Sequence, residues 1–243
     1  KQMAPVIVAE HKLRWVARSV FENLFETVPG TMLTTTYRMN AEINAYPSQR
    51  FYGGRLHPSP EARNRLLQLS GQPGPFDLLL RPSPSAIFVA VNHSGKGMRA
   101  PEEAAIAAGV VAEAVGRGLP PIGIAVVAPY RAQVKLIRDT LRKLDVEPDS
   151  DGVVVDTVER IQGQERDVIV VSLTTSDPTY AAQRAEFYFQ PNRLNVAITR
   201  PRVKRIVIGS PRPFNAKPAD SDHRRWVDHF RRLYEASHVV MAR

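Results

Sequence analysis

Five short runs rich in Val and Ile recur along the chain: AIFVAV (86–91), IGIAVVAP (122–129), GVVVDTV (152–158), DVIVVSL (167–173) and RIVIGS (205–210). Their hydrophobicity is continuous rather than alternating, which marks strands covered on both faces of a sheet. Helical patterns lie between them. Pro101 to Val115 opens with an acidic turn, Tyr130 to Leu144 spaces Val134, Ile137 and Leu141 on one face, and Pro191 to Thr199 is shorter. Strand and helix in alternation predict an α/β fold, a doubly wound and mostly parallel sheet with right-handed crossovers. Upstream, 13–25 reads as an amphipathic helix and TMLTTTYR (31–38) as a further strand. The Pro- and Gly-containing stretch 57–84 is expected to be a variable insertion. Near the end, Trp226, Phe230 and Leu233 share one helical face, so 216–243 is expected to form a C-terminal packing helix.

The 243 residues suffice for a substantial core, and no apolar run approaches the roughly 20 residues of a membrane helix. No basic start followed by an apolar core marks a signal peptide. Without cysteine there can be no disulfide, thiol nucleophile or thiolate metal site, which suits a cytoplasmic protein, or a nuclear one in a eukaryote. The six His residues show no metal-ligand spacing, so no metal is expected to be bound by the chain alone. The charge is more informative: 33 Lys and Arg against 24 Asp and Glu leave +9, which makes a polyanionic partner plausible.

Doubly wound sheets bind ligands beyond the carboxyl ends of their strands. Three polar stretches are placed there by sequence: YRMNAEI after the strand near Tyr37, ERIQGQERD after Val158, and PNRLNVAITRPR before Ile206. Packing alone does not require their Arg and Gln residues. Two tempting nucleotide signatures fail. HSGKG (93–97) follows Lys96 with Gly97 instead of Ser or Thr and has Ala90 where a phosphate loop needs its first Gly, so it cannot be G-x-x-x-x-G-K-[ST]. Asp156 follows a strand but lacks the Glu expected beside a magnesium-binding acid.

KQMAPVI, TTTYRMN followed by FYGGRL, VVAPYRAQ, DTVERIQGQERDVIVVS and NRLNVAITRPR, in this order, resemble the later motifs of superfamily 1 helicases of the senataxin and nonsense-mediated-decay type. The resemblance runs from Lys1 to about Pro213. It implies a RecA-like fold, with residues 1–12 as the tail of a first-domain motif plus linker and 13–215 as the second RecA-like domain. Met3 stands where that motif usually has Leu.

The resemblance also implies roles. Arg200 in ITRPR would be the arginine finger, Arg38 in TYRMN a second γ-phosphate contact, and Gln2 the glutamine that senses that phosphate. Gln162, Gly163 and Glu165 would form the turn facing the nucleotide, with Glu165 near the ribose or a magnesium-bound water. Guanidinium suits such work because it is always charged and offers a planar fork of donors. Thr157, Pro129, Tyr130 and Arg193 would meet a strand of nucleic acid, Tyr130 having core packing as its alternative role. Ala128 replaces a Thr common in the family, and Thr175 an Arg. The implied cofactor is ATP with Mg, the metal held mainly by a first RecA-like domain, which is the implied partner together with single-stranded DNA or RNA. Taken by itself the chain is expected not to hydrolyse ATP. The alternative is a non-catalytic nucleic-acid- or protein-binding module with a helicase-like fold, and a further one is membership of a larger multifunctional protein.

Overall fold

The structure, a computed structural model, describes residues 28, 30–149 and 151–242. Gln2 and the helix expected at 13–25 lie outside the described residues. In chain order the elements are β1 (Thr35–Thr36), α1 (Ala41–Tyr52), β2 (His57–Pro58), α2 (Pro60–Arg63), α3 (Asp77–Leu80), β3 (Ala86–Ala90), α4 (Pro101–Gly116), β4 (Ile124–Ala128), α5 (Arg131–Arg142), β5 (Val154–Thr157), β6 (Arg166–Ser172), α6 (Pro178–Gln183), α7 (Ala185–Tyr188), α8 (Pro191–Ile198), β7 (Pro201–Gly209), α9 (Ser221–Glu235) and β8 (His238–Met241).

Strands β3 to β8 form one sheet in the order β5-β4-β6-β7-β3-β8, and every neighbouring pair is parallel. Successive side chains point to opposite faces, so the apolar runs feed two cores. Ile87, Val89, Val126, Val170 and Ile208 pack under α4 and α5, whereas Phe88, Val127, Val171 and Val207 pack with residues of α1, α8 and α9. Both faces are covered, which is why these strands needed no polar alternation.

The helices start where their sequences allow. Pro101 opens α4 with Glu102 and Glu103 in the first turn, which complements the positive end of the helix dipole. Asn40 caps α1 by accepting from Ile43 N at 3.0 Å, and Asp220 caps α9 by accepting from Asp222 N and His223 N. In α5 the expected Val134, Ile137 and Leu141 are the buried stripe. In α9 the buried stripe is Val227, Phe230 and Leu233; Trp226 sits beside it, half-buried against the His223 ring.

Two expectations change. The strand expected over TMLTTTYR shrinks to β1, which pairs only with β2 outside the main sheet. Strand β7 begins at Pro201 rather than Arg205, and β8, which the sequence reading did not include, adds a parallel edge beside β3. The stretch 57–84 is packed against α4. Leu67, Leu79 and Leu80 are buried, Glu113 of α4 accepts from the N–H groups of Gly74 (3.1 Å) and Phe76 (2.7 Å), and a Cβ on Gly109 would fall 2.2 Å from the Phe76 ring.

Candidate functional site

The polar stretches do not all gather at the carboxyl ends of the strands. Arg166 pairs with Pro201 in the first register position of β6 and β7, so Glu165 and Arg200, each one residue earlier, stand at the amino-terminal edge. Arg38 joins them from the turn that follows β1. Its segment is pinned there by Asn40, whose N–H donates to Arg202 O (3.2 Å) and whose amide donates to Arg65 O and Ser85 Oγ (2.8 Å each). The carboxyl-end expectation is therefore corrected for these three residues. The eight residues after β5 run back along the sheet before β6 begins, which carries the motif from one edge to the other.

At this edge Arg38 Nε donates to Glu165 Oε2 at 2.8 Å and Arg38 Nη1 to Thr199 O at 3.1 Å. Arg200 donates from Nε to Val196 O at 3.1 Å and from Nη1 to Gln164 O at 3.5 Å, the second contact being long. Burial, then the neighbouring charge of Arg38, pulls the Arg200 pKa down, against the pull of Tyr52 and Glu165. The Glu165 carboxyl is held below its ordinary range chiefly by the Arg38 hydrogen bond, against burial, with Arg38, Arg202 and Arg65 adding positive charge. Four guanidinium groups thus lie near the Glu165 carboxylate, one of them, Arg202, also pairing with Asp167 at 3.7 Å. Gly163 supports the approach with φ of +86°, a backbone conformation that favours glycine, and Gln162 beside it is exposed. An open cleft of about 610 Å³ adjoins Glu165 and is lined by Arg138, Asp156, Arg160 and Arg166. Neither Asn40, Arg65 nor Arg202 was singled out from sequence; the signal for Asn40 was an Asn directly before a helical run.

The remaining candidates lie at the carboxyl-terminal edge. Thr157 ends β5 in register with Ala128, so Thr157 and Pro129 are neighbours, both half-buried. Tyr130 is buried, stacked on Phe187 at 5.4 Å, with its hydroxyl 3.4 Å from Thr175 Oγ1; burial pushes the phenol up to about 12. Arg193 is tied inward by Glu159 (2.7 Å), by Phe187 O (3.2 Å) and by stacking on the Phe187 ring (4.1 Å). The cavity behind Pro129 and Arg193 holds about 40 Å³, room for water but not for a small-molecule ligand.

Beneath this edge lies a buried polar network that sequence reasoning missed. The fully buried Glu103 carboxylate is 2.7 Å from His93 Nε2 and accepts from Ser172 Oγ and Thr174 N, each also at 2.7 Å. Gln133 joins by donating to Ser172 Oγ (3.1 Å) and bridging Ala100. Thr174 carries φ of +70°, a strained conformation for a β-branched residue.

The parallel sheet carries arginines at one edge and a buried polar lattice at the other, and comparison with known proteins relates the chain to ATP-dependent helicases. The model of a family described as "AAA domain" matches residues 16–212, and the chain belongs to that family. DNA polymerase alpha-associated DNA helicase A of Schizosaccharomyces pombe is 30% identical over 239 residues, covering 92% of this chain and 34% of that protein. A regulator of nonsense transcripts 1 homolog of Neurospora crassa is 29% identical over 222 residues, covering 87% of this chain and 20% of its own length. The chain thus spans about a third or less of these relatives. Among solved structures, the C-terminal domain of a possible DNA helicase from Lactobacillus plantarum WCFS1 aligns with a TM-score of 0.42 at 11% identity, over 75% of this chain and 94% of that one. Among the described residues no helix is long and apolar enough to cross a membrane.

Proposed function

We propose that this chain is the second RecA-like half of an ATP-dependent enzyme that moves along single-stranded nucleic acid. The observation that carries this reading is the cluster of Arg38, Arg65, Arg200 and Arg202, four guanidinium groups against the two carboxylates of Glu165 and Asp167. Such a surplus of fixed guanidinium charge fits a polyphosphate, and phosphoryl transfer is catalysed largely by positioning and charge.

ATP supplies the γ-phosphoryl group that is transferred to water. Arg200 is the arginine finger and Arg38 a second γ-phosphate contact. In the chain alone Arg38 rests on Glu165, and a triphosphate offers it more negative charge than one carboxylate does. Gln162, Gly163 and Glu165 face the nucleotide, and Gln2 reports the state of its last phosphate. The first RecA-like domain contributes the phosphate loop and holds most of the Mg coordination.

The strand follows the opposite edge. Thr157 and Pro129 meet its backbone, while Tyr130 and Arg193 hold that surface from beneath. Helix α8 connects the two edges: Arg193 lies in its first turn, and Arg200 follows two residues after its end. A change at the γ-phosphate therefore reaches the strand surface through one short rigid element. A module that only bound strands would have no use for four arginines at the far edge.

The test is Arg200→Ala in the full-length protein. Strand-stimulated ATP hydrolysis is expected to fall by about 10³-fold or more, with single-strand affinity unchanged. Hydrolysis at the original rate would remove Arg200 from the reaction and favour the binding-module alternative.

A further inference from the structure

The loop that follows β3, 91–100, contains the HSGKG stretch that fails as a phosphate loop. It lies at the carboxyl-terminal edge, folded over the segment that follows β6. Thr174, Thr175 and Ser176 of that segment are buried, so none of them offers surface to a ligand. Their place at the surface is taken by the β3 loop. Thr175 Oγ1 donates to Gly97 O at 2.8 Å, Ser176 N to Lys96 O at 2.9 Å, and Lys96 N to Ser176 Oγ at 3.0 Å. The Glu103 carboxylate fastens both loops from below, through His93 on one and Thr174 on the other.

This bolted loop presents cations. Arg99 is exposed and makes no hydrogen bond or ion pair with the described residues. The Lys96 ammonium is about a third exposed and pairs with Glu102 at 3.0 Å, a contact between two solvated side chains that is worth little and yields readily to a phosphate. Beside them Met98 is 50% exposed, and Arg184 lies 5.0 Å over the Tyr180 ring, which itself packs against Gly97. Asp177, whose N–H donates to Lys96 O at 3.2 Å, has its carboxylate engaged in capping α6 through Thr179 N and Tyr180 N.

We propose that Lys96 and Arg99 form a phosphate-contacting extension of the strand path, so that single-stranded nucleic acid crosses from Thr157 and Pro129 onto the β3 loop. This rests on the reading of the carboxyl-terminal edge as the strand side. The two cations follow Pro129 across the sheet because the β3 loop reaches over the end of β7, where Ser210 Oγ donates to His93 O at 3.3 Å. A surface fixed by buried hydrogen bonds loses little freedom on binding, so two cations held there count for more than two on a mobile loop. Contacts to the backbone carry no sequence preference, and each adds to the salt dependence of binding.

The experiment is a salt titration of full-length protein against fluorescein-labelled oligothymidylate and oligouridylate, for the wild type, Lys96→Ala/Arg99→Ala, and Lys135→Ala as a charge-loss control on the exposed face of α5. With about 0.7 of slope per phosphate contact on a single strand, the double variant is expected to lower the slope of log K against log salt by about 1.4. The control leaves it unchanged. Both changed positions lie at the surface, and unaltered thermal unfolding confirms an intact fold. A double variant with the wild-type slope overturns the proposal while the strand reading stands; failure of the wild type to bind either oligonucleotide overturns the strand reading itself.

Discussion

The two ends of one parallel sheet treat their polar side chains in opposite ways. At the amino-terminal edge Glu165 is 48% exposed, Arg38 keeps 29% of its side chain in water, and the Arg200 contacts are single bonds to carbonyls of 3.1 and 3.5 Å. At the carboxyl-terminal edge Glu103, Gln133, Ser172, Thr174 and Thr175 are excluded from solvent and interlocked. The first set is open to solvent and, in the proposed function, receives a polyphosphate. The second is scaffold, polar because it must join loops from three separate strands and buried because its partners are already present.

The largest consequence concerns Glu103. Replacing it with Ala strands Ser172 Oγ, Thr174 N and His93 Nε2 without their acceptor in a dry interior, and each unsatisfied donor costs about 1–3 kcal/mol. A loss of at least about 3 kcal/mol is expected in urea unfolding. A loss below about 1 kcal/mol would mean the lattice is not scaffold, and the contrast between the edges would fail.

Lys204 sharpens the contrast from the middle of β7. Its ammonium is buried and donates to the carbonyls of Arg81 and Pro84, the latter at 2.6 Å, so it locks the turn before β3 as the Glu103 network locks the loop after it. Burial pushes its pKa down from 10.5 to about 8. Between those values the unfolded chain binds more protons than the folded one, so stability rises with pH from about 8 to about 10.5. The rise is expected to reach roughly 2–3 kcal/mol at most, and Lys204→Met flattens it. Parallel pH profiles for the two proteins would show that the buried ammonium is not penalised by its site.

How far the residues announced this arrangement differs by element. Each of the five Val/Ile runs overlaps a strand, because short β-branched runs bounded by turn residues suit a strand buried on both faces; Pro101 and Pro191 marked two helix starts for a stereochemical reason. Strand β8 was not legible: HVVM is four residues long, mostly exposed, and separated from α9 only by Ala236 and Ser237. The convergence of Arg38, Glu165 and Arg200 was expected from motif resemblance, but its location was not. The backtracking of 158–165 from the end of β5 to the start of β6 depends on the strand order, which no local pattern records. Glu103 was hidden for a related reason. In sequence it is one more acid in the first turn of a helix, and only packing against β6 turns it into a buried acceptor.

The smallest effect tests the amino-terminal edge by its indifference. The Arg38 hydrogen bond, aided by the charges of Arg38, Arg202 and Arg65, lowers the Glu165 pKa against burial. A lowered carboxyl pKa contributes stability above the unfolded value near 4.5 and loses it as pH falls through the folded value. Glu165 is nearly half in solvent, so screening leaves that contribution below about 0.5 kcal/mol. Glu165→Gln should therefore leave urea unfolding at neutral pH nearly unchanged and alter the acid limb only slightly. Its cost should appear instead in nucleotide turnover by the full-length protein, because the turn proposed to face the nucleotide loses its carboxylate and Arg38 its resting partner. If the same variant lost several kcal/mol of stability and kept its turnover, the amino-terminal edge would be scaffold like the other, and its four arginines would need a reason other than a polyphosphate.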